Sequence, residues 1–99
     1  MKHKWYAPDD ASPQYPCPCC DYVTLPERGS FLICPICFWE DDGQDIQQLD
    51  LKSAPNNGLT LRQARMNFSE FGACDLRAKS HVIPEIERGR YARRVREGF

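Results

Sequence analysis

The chain has 99 residues, 41 % of them hydrophobic and 27 % charged, with a net charge of -1. That length holds one domain at most, and it buries only about 60–65 % of the surface its unfolded form exposes, so a staple is expected. No apolar run approaches the ~20 residues that span a membrane, and the opening "MKHKWYAPDD" does not resemble a secretory signal, so the expected location is the cytoplasm.

The net charge hides an asymmetry. Residues 1–50 carry three Lys/Arg against nine Asp/Glu, and residues 51–99 carry ten against five. An acidic half is followed by a basic half.

In chain order, residues 1–14 form an N-terminal extension. Five of the six cysteines then fall between Cys17 and Cys37. Disulfide, redox dithiol and metal ligand are the competing uses. A reducing cytosol argues against the first. A thioredoxin-like pair must open a helix after a strand, and here each pair adjoins a strand or an acidic turn. Metal ligation fits best. Cys17-Pro18-Cys19-Cys20 and Cys34-Pro35-Ile36-Cys37 each contain Cys-Pro-x-Cys, separated by thirteen residues. That spacing suits one four-thiolate zinc ion on Cys17, Cys20, Cys34 and Cys37. A rubredoxin-like iron site would use the same sulfurs. Cys17/Cys19 or Cys19/Cys20 as the first pair is less natural geometrically. Proline after each leading cysteine presets φ for the turn, and Asp21 stands where a left-handed residue is wanted.

Tyr22–Leu25 and Ser30–Ile33 are β-branched and aromatic, and Pro26–Gly29 between them reads as a turn. The expectation is a hairpin joining these two segments. Phe38 and Trp39 are expected to cover the metal. Glu40, Asp41, Asp42 and Asp45 form an acidic run read as a solvated loop or a partner-binding face; its spacing does not suit calcium. Ala54–Gly58 is a loop. Thr60 and Gln63 make a capping box for a helix that stops at Gly72, with Leu61, Ala64, Phe68 and Phe71 on one core-facing stripe. Cys19 and Cys74 read as small buried hydrophobes, with a redox pair as the sharper use. His81, seven residues after Cys74, could help it build a second metal site. From Pro84 the chain is arginine-rich. Pro84 and Glu85 suit a second, C-terminal helix, whereas Gly89 and the scattered Arg88, Arg90, Arg93, Arg94 and Arg96 suit a polar tail; docking on an acidic partner or on the acidic half of the chain is a further use.

The strings Cys17-Pro18-Cys19-Cys20, Leu25–Gly29, Cys34–Cys37, Trp39–Asp42 and Asn67–Cys74, in that order, resemble the bacterial cysteine-rich CPCC domain over about Tyr15 to Ile83. The family tends to have glycine where this chain has Asp21. The resemblance implies a small metal-binding domain and brings no catalytic activity with it. Residues 15–83 are thus read as the zinc-binding domain and 84–99 as an arginine-rich segment.

The expected fold is small α+β, a zinc-ribbon-like hairpin with one amphipathic helix laid against it. Four thiolates leave zinc no open position, so an enzyme is not expected. The expected function is a protein-interaction module, in its sharper form an immunity protein that neutralises a basic toxin or nuclease through its acidic surface. A nucleic-acid-binding zinc ribbon is the alternative, which the sequence pI of about 6.1 opposes.

Overall fold

Eight prolines and two tight Cys-Pro turns keep the regular elements short. The computed structural model describes residues 12–96. Strand β1 (Tyr15–Pro16) pairs antiparallel with β2 (Val23–Leu25), and β3 (Lys52–Ser53) pairs with β4 (Leu59–Thr60). Helix α1 follows over Leu61–Phe71, and 3-10 turns occupy Ile46–Gln48, Ala54–Asn56, Leu76–His81 and Glu85–Arg90. Among the described residues, two strand-paired hairpins, one α-helix, a bridged reversal around the second Cys-Pro turn and a four-cysteine cluster make a zinc-ribbon-like α+β fold. Among the described residues no helix is long and apolar enough to cross a membrane.

Helix α1 begins and ends as its sequence dictates. Thr60 accepts from the backbone N–H of Gln63 while the Gln63 side chain accepts from the Thr60 N–H, closing the capping box. Gly72 ends the helix at φ 84°, where a Cβ would come within 2.6 Å of Arg88 Nη2. Leu61 and Ala64 are fully buried, and Phe68 and Phe71 pack at the margin of the same core.

The strand pairing departs from the expected hairpin. Val23–Leu25 pairs back onto Tyr15–Pro16, and not across Pro26–Gly29 onto Ser30–Ile33. Residues 31–33 instead bond to 39–41: Phe31 N–H donates to Asp41 O, Asp41 N–H to Leu32 O, and Ile33 bridges Glu40. Each Cys-Pro turn therefore sits at the tip of its own small hairpin. The reason is local, because a turn that reverses the chain within four residues leaves the returning segment beside the one just left.

The C-terminal stretch is a 3-10 turn and then an extended run, not an α-helix. Residues 92–94 lie along the first hairpin, with Val23 N–H donating to Ala92 O, Arg94 N–H to Asp21 O, and Tyr22 bridging Arg93. Of the N-terminal extension, residues 1–11 lie outside the described residues.

Candidate metal centre

Both cysteine turns are built by the same bonds at the same offsets. In the first, Asp21 N–H donates to Cys17 O at 2.9 Å and Cys17 N–H to Tyr22 O at 2.8 Å. In the second, Phe38 N–H donates to Cys34 O at 2.9 Å and Cys34 N–H to Trp39 O at 3.0 Å. The residue after the second cysteine is left-handed in each, Asp21 at φ 68° and Phe38 at φ 72°. Neither is glycine. For L-residues that conformation costs roughly 1–2 kcal/mol, so something tertiary must hold each one.

The turns face each other. Cys17 Sγ lies 3.6 Å from Cys37 Sγ, Cys20 Sγ lies 3.7 Å from Cys34 Sγ, and all four sulfurs fall within 4.8 Å of one another. A tetrahedral thiolate-bound zinc with metal–sulfur bonds of ~2.3 Å has sulfur–sulfur edges of ~3.8 Å. The observed pairs fit that geometry. Cys19 and Cys74, both buried, are outside the cluster, and no second group of three or more possible ligands occurs among the described residues. The His81 ring stacks on Phe38 instead, centroids 5.1 Å apart.

All six cysteines are free and buried. Burial pushes the Cys17, Cys20 and Cys37 thiols well above their ordinary range. Burial acts the same way at Cys34, but hydrogen bonds from the Cys17, Cys20 and Cys37 thiols and from Thr24 Oγ1 outweigh it and favour the thiolate. A dication bound among them would hold all four as thiolates and release their protons. Cys17, Cys34, Ile36, Cys37, Trp39 and Leu61 are all 0 % exposed, so this cluster is the centre of the core rather than a cleft.

Chain-wide ion pairing surrounds it. Arg28 donates Nε to Asp41 at 2.9 Å and Nη1 to Asp45 at 2.5 Å; Arg96 donates Nη1 to Asp45 at 2.7 Å and Nη2 to Asp21 at 3.0 Å; Arg65 donates Nη2 to Asp21 at 2.8 Å. The charges alternate from Asp41 through Arg28, Asp45, Arg96 and Asp21 to Arg65, and they sum to zero. This row joins the acidic half of the sequence to the basic half. Burial pushes the Asp21 carboxyl up, but hydrogen bonds and charge from Arg65 and Arg96 outweigh it and hold it below the usual carboxylate range. Asp45 is likewise lowered against burial by Arg28, the Ile46 N–H and Arg96.

The acidic run is therefore different from a solvated patch. Asp41 is 0 % exposed and also accepts from Gly29 N–H at 2.8 Å, so it is not part of any partner-facing surface. Asp42 accepts from Ser53 Oγ, and the Glu40 backbone is held on both sides by the buried Asn56 amide. Asp21 was foreseen only as a left-handed position and Arg96 only as one of the arginines that could dock on the acidic half, which it does at Asp21 and Asp45. Arg65 and Asn56 had no sequence signal, because they act through contacts far along the chain.

The family comparison bears on this arrangement directly. The family described as Cysteine-rich CPCC matches residues 15–88, which include both turns, the acidic run and the helix. The chain belongs to the cysteine-rich CPCC family. No curated protein and no solved structure matches it. The family match reaches Arg88, so it takes in part of the arginine-rich segment as well.

Proposed function

We propose that this CPCC-family protein is a small, non-enzymatic interaction module whose fold is held by one zinc ion on Cys17, Cys20, Cys34 and Cys37. The observation that carries this reading is the burial of four mutually adjacent sulfurs at the centre of the core. Four thiolates saturate a tetrahedral ion, so the metal has no position for water or substrate. Zinc, which has no redox chemistry, suits a site whose task is to replace missing core. A four-thiolate metal site suits a reducing compartment, and we assign the cytoplasm on that ground.

A finer reading makes the protein an immunity protein that neutralises a basic toxin or nuclease with its acidic surface. Its support is the excess of carboxylates in the first half of the sequence. Asp41 and Asp45 are already bound to Arg28 and Arg96, which leaves Glu40 and Asp42 as the acids of that run without an ion pair among the described residues. The partner surface is better sought elsewhere.

Two measurements test the main reading. Metal analysis of freshly prepared reduced protein is expected to return one equivalent of zinc, and an equivalent of iron would overturn the metal assignment. Capture from native lysate at low salt is expected to recover a protein partner in near-stoichiometric amount; recovery of none would overturn the interaction reading. Nucleic-acid binding is the second reading, favoured by arginines gathered beside α1. It requires retention on a DNA or RNA column at about 50 mM salt that collapses as salt rises.

A further inference from the structure

The second half of the chain is basic, and the described residues do not neutralise all of it. Between α1 and the C-terminal run lies an open groove of about 670 Å³, lined by Arg62, Arg65, Arg88, Arg93 and Arg96 with one carboxylate, Asp21. Asp21 is taken by Arg65 and Arg96, and Arg62 holds Asp50 outside the groove. Arg88 and Arg93 have no carboxylate partner among the described residues.

Both are nevertheless positioned. The Arg88 guanidinium lies 5.0 Å over the Phe68 ring and donates to Gly72 O. Its Nε is buried without an acceptor among the described residues, which leaves Nη1 as its end for an incoming acceptor. Arg93 lies 5.3 Å over the Tyr22 ring and donates Nε to Cys20 O. A guanidinium held over an aromatic face keeps N–H edges for an acceptor and has already lost much of its rotamer freedom. Met66 and Val95 line the same groove and are 57 % and 62 % exposed, apolar side chains beside unmatched charge.

We propose that this groove binds an acidic peptide segment of a partner protein, with carboxylates on Arg88 and Arg93 and an apolar side chain against Met66 and Val95. The proposal deepens the interaction reading above and rests on it. Charge complementarity selects an anion, and arginine forks match carboxylates in two-bonded geometry. The apolar lining selects a peptide over a polynucleotide. A nucleic-acid backbone would also want a long basic stripe, whereas here Asp45 and Asp50 neutralise Arg96 and Arg62 at the margins.

The test uses zinc-loaded, ¹⁵N-labelled full chain titrated with a ten-residue peptide of alternating Glu and Leu, capped at both ends. Expected are amide shifts at Met66, Ser69, Arg93 and Val95, none at residues 40–45, and binding that weakens as salt rises. Arg93→Glu is expected to weaken binding about tenfold or more, since a charge-assisted bond becomes a repulsion. Met66→Glu, at a site 57 % exposed, is expected to weaken it as well, and unchanged spectra elsewhere show that both variants fold. Absence of shifts, shifts centred on residues 40–45, or tighter binding of a ten-nucleotide thymidine strand to the same amides would each overturn the proposal. A lysate partner whose capture is unaffected by Arg93→Glu would overturn the groove and leave the interaction reading standing.

Discussion

The two cysteine turns share a backbone but are secured by opposite means. In the first, the left-handed residue is Asp21, held by two arginines from α1 and the C-terminal run, with Arg94 N–H on its carbonyl. In the second it is Phe38, whose ring stacks on His81, while Cys74 N–H donates to Cys37 O and Ile83 N–H to Pro35 O. One turn is clamped by charge and the other by aromatic stacking and backbone bonds. A tight cysteine turn thus fixes only its own bonds. Its outer face is free to recruit whatever the remaining chain supplies.

Removing what the turns have in common should have the largest effect. Cys34→Ser, or chelation of the metal, is expected to unfold the domain, because structural zinc sites carry apparent binding free energies of about 10–16 kcal/mol, comparable to or greater than the stability of a small domain. Loss of dispersed amide signals on chelator addition checks this; a chelated protein with unchanged dispersion would refute the staple.

Next comes the charged clamp. Asp21→Ala is expected to destabilise by about 3 kcal/mol, since it leaves Arg65 and Arg96 partly buried without their anion, read as a lower denaturation midpoint at constant zinc. Asp21→Gly would relieve the left-handed strain yet still lose both ion pairs, so it should fall between Asp21→Ala and the native chain. If it exceeds the native stability, backbone strain outweighs the clamp.

The aromatic clamp should be weaker. Phe38→Ala on a half-buried ring is expected to cost about 1–2 kcal/mol, less than the 3–5 typical of a fully buried phenylalanine. Phe38→Gly should recover part of that loss by easing the positive φ.

Acid should separate the two clamps. The folded-state pKa of Asp21 lies below its unfolded value near 3.9. The stability it contributes is complete above the unfolded value and drains as pH falls through the folded one. The gap in denaturation midpoint between the native chain and Asp21→Asn should therefore narrow below about pH 4, whereas the gap for Phe38→Ala should not. The smallest effect belongs to Arg62→Ala, whose pair with Asp50 is exposed on both sides; no measurable change in midpoint is expected.

The ligand set, the helix with both its caps, and the left-handed demand at Asp21 were legible because each rests on residues a few positions apart. The hairpin register was misread for a related reason. Tyr22–Leu25 and Ser30–Ile33 have strand composition, but composition does not name a partner, and the tight turns had already assigned each segment to its own neighbour. The burial of Asp41 was not legible because it depends on Arg28, thirteen residues earlier, folding back over it.

By itself the sequence settled which four sulfurs are drawn together, where the helix starts and stops, and that opposite charges occupy opposite halves of the chain. Those features follow from local geometry and from simple counting. Only the tertiary structure decided that Arg96 reaches Asp21 and Asp45, that Asp41 is inside, and that Arg88 and Arg93 lie over aromatic rings without a carboxylate among the described residues. Pairing between distant charges depends on where the backbone carries them, and the fold around the four-cysteine cluster sets that path.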